Sequence, residues 1–150
     1  IDDISIATAE SEVIVQQEKQ QEKQQEKTKV ETVIKEDEVY TFTNLLFEFD
    51  KAVLVETSVK ELDELYAYLE KSRLLTIEIY GHTDNIGSVR RNKELSLHRA
   101  KAVSDYLISK GLETSRIKWF GFGSSKPVVP NDTAAQRKKN RRVEFKLNSE

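Results

Sequence analysis

The sequence predicts an α/β domain in which helices cover one face of a mixed β-sheet. Three observations lead to this prediction: apolar residues alternate in several short segments, helical apolar stripes lie between those segments, and the elements follow the order strand, helix, strand, helix, strand, strand. The chain has 150 residues, 37% of them hydrophobic, which is enough for one core and too little for two.

The first strand is predicted over residues 39–49, with a shift in its alternation near Asn44. Asp50 and Lys51 follow as a turn. Ser58 and Glu61 then have the spacing of a capping box at the start of the first helix. One apolar stripe runs along that helix, which is expected to end near residue 72, and it consists of Val59, Leu62, Leu65, Tyr66 and Leu69.

The second strand alternates over residues 75–80 and is predicted to break at Gly81. A polar turn containing Asp84 leads into the second helix, which Gly111 closes in a left-handed cap. Arg99 falls on the apolar face of this helix, where a guanidinium needs a carboxylate partner. Asp84 is the natural candidate, and such a pair is either a structural salt bridge or part of a site.

The remaining elements are two strands joined by a loop. Residues 116–123 form an aromatic strand with glycines at its end, which suggest close backbone approach. Residues 127–137 are a loop with a short helix after Thr133. The last strand is predicted over residues 140–147, with alternating Val143, Phe145 and Leu147 facing inward.

The chain divides into a polar tail at residues 1–38 and a folded domain at residues 39–150. Residues 16–27 repeat Gln-Gln-Glu-Lys three times, a period that lacks the apolar positions of a coiled coil. This segment is predicted to be a linker or tether, and both a solvated helix and a disordered spacer fit its composition. Since the chain begins at Ile1, we expect a signal peptide, lipid anchor or membrane domain to lie outside it.

Composition excludes several classes of function. The net charge of −2 argues against a nucleic-acid binder that relies on bulk positive charge, and the lack of cysteine excludes thiolate chemistry and thiolate metal sites. No apolar run reaches the length of a transmembrane helix. His82, Asp84 and His98 lack the spacing of a metal hydrolase, so we expect no enzyme, no metal and no cofactor.

The central segment carries the strongest motif of the chain. Gly-His-Thr-Asp-x-x-Gly at residues 81–87, followed by Asn92, Leu95-Ser96 and Arg99-Ala100, closely resembles the signature of the OmpA-like peptidoglycan-binding domain family. The resemblance covers about residues 39–147. Further matching segments are Phe47-Glu48-Phe49-Asp50-Lys51, Gly121-Phe122-Gly123, Lys126-Pro127, Asn131, Thr133 and Asn140-Arg141-Arg142-Val143-Glu144.

This resemblance implies a two-layer α/β sandwich that binds the diaminopimelate residue of the peptidoglycan stem peptide. Asp84 and Arg99 stand at the positions that grip this residue in the family. Six other positions are expected to line the site or support it: Thr83, Asn85, Asn92, Phe49, Asp50 and Arg142. Turn stabilisation is an equal alternative for Thr83, as core packing is for Phe49, and Arg141 and Arg142 fit structural ion pairs better than ligand contacts.

Diaminopimelate ends in an ammonium and a carboxylate on one carbon. Asp84 would accept from the ammonium, and Arg99 would form two parallel hydrogen bonds to the carboxylate. If Ser96 begins the helix, Arg99 lies in the first turn, where the helix dipole also favours an anion. Two positions depart from the family, because Arg91 replaces an aromatic residue and Gln136 replaces a glycine.

The expected function is therefore non-covalent, non-catalytic anchoring of an outer-membrane or envelope protein to the cell wall. The expected location is the periplasm of a Gram-negative bacterium, attached to the outer membrane through a region outside this chain. The expected partners are peptidoglycan and an N-terminal membrane or envelope domain, without nucleic acid. The alternatives are a stator-type anchor like MotB and a protein-interaction module that uses the same cleft.

Overall fold

A computed structural model of the chain describes residues 35–42, 47 and 51–149. The repeats at residues 16–27, the irregularity near Asn44, and both Phe49 and Asp50 lie outside the described residues. Within the described ranges, no helix has the length and apolar character needed to cross a membrane.

The strands form one mixed sheet in the order β1-β4-β2-β3. Its strands are β1 (Val39–Thr41), β2 (Leu75–His82), β3 (Ile117–Gly121) and β4 (Arg142–Ser149). β4 runs antiparallel to both β1 and β2, whereas β2 and β3 are parallel. The parallel pair requires a crossover, and the long helix between β2 and β3 supplies it. The mixed sheet predicted from the sequence is confirmed.

Two helices lie against the sheet, α1 (Val59–Lys71) and α2 (Val89–Lys110). A shorter helix, α3 (Ala134–Asn140), precedes β4. The alternating residues of β2 and β4 that face the helices are buried, and so are the apolar stripes of α1 and α2. The core of this layer includes Leu62, Leu65, Leu69, Ile77, Ile79, Val103, Leu107, Val143, Phe145 and Leu147.

The start of α1 differs from the predicted capping box. Ser58 makes no side-chain cap hydrogen bond and has helical dihedrals, φ −79° and ψ −18°. A capping residue needs an extended backbone, and here a 3-10 turn at Glu56–Ser58 runs directly into the helix. Ser58 is completely buried.

The start of α2 also differs from the prediction. The helix begins at Val89, capped by Ser88, whose hydroxyl accepts from the Arg91 amide at 3.1 Å. Ser96 therefore lies inside the helix, and Arg99 lies well beyond its first turn, so a dipole effect of the helix start on Arg99 is excluded. The first two turns are largely exposed and polar, which is why no apolar stripe marked them. The predicted cap at Gly111 is confirmed, with φ 125°.

The strand β2 continues through Gly81, where a break was predicted. The reason for glycine is the close approach of α2: a Cβ on Gly81 would lie 2.0 Å from the carbonyl oxygen of Ser96. A Cβ on Gly121 of β3 would lie 2.4 Å from the amide nitrogen of Leu97. The two glycines let the helix touch the backbone of both strands just before the loops that follow them.

The short helix predicted after Thr133 is confirmed as α3. Thr133 accepts from the Gln136 amide at 3.1 Å, and the Gln136 side chain accepts from the Thr133 amide at 3.0 Å. These reciprocal bonds are a capping box. Gln136, which replaces a glycine of the family pattern, therefore stabilises the start of α3.

Candidate functional site

Asp84 lies in the loop that leaves the end of β2. The backbone before it is held by the neighbouring loop, because the Thr83 amide donates to the carbonyl of Gly123 at 2.8 Å. The Asp84 side chain is only 10% exposed. One of its carboxylate oxygens accepts from the Ile86 amide at 2.9 Å, and the other accepts from Arg141 at 2.6 Å. The carboxylate is thus fixed in direction by a turn and neutralised by a cation.

Arg141 is the residue that sequence reasoning missed as the partner of Asp84. It precedes β4, and the β2–β4 register sets His82 opposite Arg142, so Arg141 comes opposite the loop of Asp84. Its side chain remains 44% exposed. The structure therefore corrects the expected pairing of Asp84 with Arg99. The sequence did contain a signal for this partner, the Asn-Arg-Arg segment at residues 140–142. Its first arginine could be assigned to Asp84 only once the register of β2 and β4 was known.

Asn92 and Thr83 support the loop through hydrogen bonds to its backbone. The Asn92 amide group donates to the carbonyls of Asp84 and Ile86 at 3.4 and 3.0 Å. The Thr83 hydroxyl donates to the Asp84 carbonyl at 2.8 Å. Both side chains are buried. These hydrogen bonds hold the loop in shape. Asn85, which follows Asp84 in the loop, is exposed.

Ser96 joins the helix to the loop after β3. Its hydroxyl donates to the Lys93 carbonyl at 2.9 Å and accepts from the Gly123 amide at 2.8 Å. Since Gly123 also receives the Thr83 amide bond, one buried hydroxyl connects α2 with both loops. This explains the serine of the Leu-Ser motif without any contact to a ligand.

Arg99 lies two helical turns beyond Asn92, roughly 10 Å along the axis of α2. Its Nε–H donates to the Lys51 carbonyl at 3.0 Å, and its guanidinium lies 5.1 Å from the centre of the Phe47 ring. These contacts tie Arg99 to the segment that enters the domain before α1. That segment also contains Phe49 and Asp50, which lie outside the described residues.

Arg142 lies in a buried charged cluster beside the loop. Its side chain is 8% exposed and donates to the carbonyls of Asn140 and Lys126 at 3.2 and 2.9 Å. It also lies 3.4 Å from the carboxylate of Glu144, which contacts the imidazole of His82. Burial raises the pKa of Glu144, but the contact with His82 and the charge of Arg142 outweigh it and hold that pKa below its ordinary value.

Asn140 organises the loop that leads to Arg141. Its side chain is completely buried, and its oxygen accepts from the amides of Val128 and Val129 at 2.9 and 3.2 Å. Its amide group donates to the Val129 carbonyl and to the Asn131 side chain, both at 2.8 Å. The asparagine thus uses both ends of its side chain to fix the loop between β3 and α3.

The site offers two opposite charges side by side. An aspartate and an arginine meet at the rim of the sheet, and the arginine is the more exposed of the two. Among the described residues, no group of three or more histidine, cysteine, aspartate or glutamate side chains is arranged to hold a metal ion. The arrangement suits reversible binding of a small group that carries both charges.

Several known proteins are similar to this chain. The OmpA family matches residues 46–141. Outer membrane porin F of Pseudomonas fluorescens is 38% identical over 104 residues, which cover 69% of this chain and 32% of the porin, so the chain spans about a third of that relative. The solved peptidoglycan-associated lipoprotein of Burkholderia pseudomallei is 27% identical, with a TM-score of 0.65 over 69% of this chain and 88% of that chain. The periplasmic domain of Helicobacter pylori MotB is 23% identical and shares the fold, with a TM-score of 0.65 over 75% of this chain and 74% of that chain.

Proposed function

This chain belongs to the OmpA family, and from that premise we propose that it binds peptidoglycan through the diaminopimelate residue of the stem peptide. It is a periplasmic, envelope-associated domain with the OmpA-like fold. The proposed role is to anchor an envelope protein to the wall of a Gram-negative bacterium, by reversible binding and without catalysis. The name of the lipoprotein relative, which is peptidoglycan-associated, supports this choice of partner.

The observation that carries the proposal is the ion pair between Asp84 and Arg141. A nearly buried carboxylate requires a cation. Without a ligand, the guanidinium of Arg141 is that cation, 2.6 Å from the Asp84 carboxylate. A zwitterion can take this place at little electrostatic cost, because its ammonium replaces Arg141 at Asp84 while its carboxylate engages the displaced guanidinium. Diaminopimelate carries such an ammonium and carboxylate on one carbon.

Arg99 and the segment before α1 form the second part of the proposed site. Arg99 is held against Phe47 and the Lys51 carbonyl, so its guanidinium is restricted in direction. We propose that it also binds the carboxylate of the ligand, with Phe49 and Asp50 as the adjoining wall. A restricted guanidinium loses less side-chain entropy on binding than a mobile one.

The remaining predicted residues have different roles in this proposal. Asn85 is exposed on the loop, and we propose that it contacts the ligand. Thr83, Asn92 and Arg142 are positioning residues, since their side-chain groups donate to backbone carbonyls of the surrounding loops. Their replacement would change the loop before it changed any ligand contact.

A stator-type anchor of the MotB kind remains an alternative with the same site. The solved MotB domain shares the fold of this chain. The two roles differ in the membrane part of the protein, whereas the proposed contact with the wall is common to both.

The proposal can be tested by co-sedimentation of the chain with purified sacculi of two chemistries. Sacculi that contain diaminopimelate should bind, whereas sacculi with lysine at the same position should bind weakly, because lysine lacks the second carboxylate. Asp84→Ala and Arg99→Ala should each lower binding at least about tenfold. Arg90→Ala, an exposed arginine on α2, is the matched control and should bind like the original chain.

Equal binding to the two kinds of sacculi would contradict diaminopimelate recognition. Full binding by Asp84→Ala, with its fold checked by circular dichroism, would reduce the ion pair to a structural role. Either result would turn attention to a protein partner for the same loops.

A further inference from the structure

The rim of the sheet around Asp84 is strongly basic, although the chain as a whole has a net charge of −2. Between residues 126 and 142 the sequence has six lysines and arginines and one acidic residue, Asp132. One of the six, Arg141, is the partner of Asp84, and Arg142 lies in the buried cluster with Glu144. The lysines of this segment have no such buried role.

Three separate segments bring lysines to this rim. Lys93 lies on α2 where the helix touches the loop after β3, since a Cβ on Gly123 would be 3.1 Å from the Lys93 amide nitrogen. Lys126 follows in that loop, and its carbonyl accepts from Arg142. Lys138 and Lys139 lie in the last turn of α3, three and two residues before Arg141. We call these four exposed lysines the basic surface.

Contacts within the folded chain explain only part of the positive charge of the basic surface. The ammonium of Lys126 lies 4.0 Å from the centre of the Phe122 ring, which is a cation–π contact. Lys138 and Lys139 complement the dipole at the end of α3. Neither effect requires lysines of α2, of the loop and of α3 to lie on segments that adjoin the pair of Asp84 and Arg141.

We propose that the basic surface binds further carboxylates of the wall glycopeptide around the zwitterion-binding residues. This inference rests on the proposed function. Each stem peptide carries several free carboxylates, so the polymer presents a dense negative charge on both sides of any diaminopimelate residue. The lysines attract that charge over several ångströms, speed association and hold neighbouring peptides, whereas Asp84 and Arg141 select the zwitterion.

The location of the surface favours a glycopeptide as the partner. The lysines lie on three segments that adjoin a pair of opposite charges, and a partner that satisfies both parts must carry carboxylates close to an ammonium. A phosphate-only polymer would meet the lysines but leave Asp84 without a new cation. Wall binding by the chain should therefore have a salt-dependent part that small soluble ligands lack.

The experiment compares two triple variants of the full chain with equal charge changes. One is Lys93→Gln with Lys138→Gln and Lys139→Gln. The control is Lys60→Gln with Lys71→Gln and Lys118→Gln, which removes three exposed lysines elsewhere, one of them also in the last turn of a helix. Both are measured against diaminopimelate-type sacculi from about 50 mM to 500 mM salt and against the soluble tripeptide L-alanyl-γ-D-glutamyl-diaminopimelate.

At the lowest salt, the first variant should bind sacculi roughly three- to tenfold more weakly than the original chain. Its salt dependence should be shallower, and its affinity for the tripeptide, which carries far fewer neighbouring carboxylates than the polymer, should fall less than its affinity for sacculi. The control should match the original chain in both assays. Equal losses in the two variants, or no loss in either, would overturn the inference.

The two proposals fail in distinguishable ways. If Asp84→Asn does not weaken tripeptide binding, the zwitterion site is wrong, while a selective salt-dependent loss in the first lysine variant would still support the basic surface. If the original chain binds anionic phosphatidylglycerol vesicles more tightly than sacculi, and the first variant loses that binding, the surface serves a lipid and the inference is overturned. Absence of sacculus binding by the original chain would overturn both.

Discussion

The Asp84 carboxylate and the Arg141 guanidinium are joined by a 2.6 Å hydrogen bond, although 57 residues separate them in the chain. The bond links the loop after β2 to the start of β4, two elements that the antiparallel register already brings together. The bond therefore stabilises the domain when no ligand is bound. In the proposed function, the ligand replaces this bond.

Removing the cation of this pair should lower stability. We expect Arg141→Gln to reduce the free energy of unfolding by about 1 kcal/mol, because Asp84 is nearly buried while the partly exposed arginine is screened by water. In a double-mutant cycle with Asp84→Asn, the second substitution should cost less than it does alone. Urea unfolding measures both. A loss no larger than that of Arg90→Gln, which breaks an exposed pair with Glu94, would contradict this prediction.

Asn140 should be the costliest polar substitution near the site. Asn140→Ala removes a completely buried side chain and leaves the partly buried amides of Val128 and Val129 without their acceptor, so we expect a loss of about 1 to 3 kcal/mol in urea unfolding. Asn148→Ala is the control, since its amide makes one 3.3 Å bond to Glu78 on the sheet surface. Similar losses in the two variants would show that the loop does not depend on Asn140.

Gly81 should tolerate no side chain. Gly81→Ala would force a Cβ to 2.0 Å from the Ser96 carbonyl oxygen, which is backbone and cannot rotate away, so we expect a loss of about 3 kcal/mol or more. Gly87→Ala is the control, because its φ of +95° is strained but a Cβ would make only an ordinary contact, 3.6 Å from the Asn92 side-chain oxygen, which predicts a loss of about 1 kcal/mol. Thermal unfolding ranks the two, and the reverse order would contradict the close approach of α2.

Gln136 should stabilise α3 through its side chain. Gln136→Ala removes the bonds to the amides of Asp132 and Thr133, so we expect about 0.5 to 1.5 kcal/mol of destabilisation. Combined with Thr133→Ala, the losses should not be additive, since the two side chains cap each other's backbone. Additive losses in urea unfolding would show that the capping box does not act as a unit.

Glu144 should make stability dependent on pH in the acid range. Its pKa in the folded chain lies below the ordinary value of 4.5, so the ionised form stabilises the fold above that pH. This contribution is lost as the pH falls through the lower folded value. Unfolding of Glu144→Gln, followed from pH 7 to pH 3, should therefore show a stability deficit that shrinks in acid.

The exposed variant Glu113→Gln corrects this comparison for the change in net charge. A deficit of Glu144→Gln that stays constant or grows on acidification would mean that the glutamate acts through its shape, not through its charge.

Local patterns were sufficient for much of the architecture. The mixed sheet, the crossover helix, the glycine cap at Gly111 and the short helix after Thr133 follow from apolar periodicity and from residues with strong backbone preferences, which act over a few neighbours. Asp84 could also be identified from local sequence as a candidate site residue, because the Gly-His-Thr-Asp-x-x-Gly motif lies in consecutive residues.

Other features were decided only by the tertiary structure. The partner of Asp84 depends on the β2–β4 register, and the need for glycine at position 81 depends on how closely α2 approaches the sheet. The true start of α2 was hidden because its first turns face water and show no apolar stripe. The apolar periodicity of the sequence indicates which elements form, because it can be read within a few neighbouring residues, whereas contacts between distant segments depend on how those elements pack together.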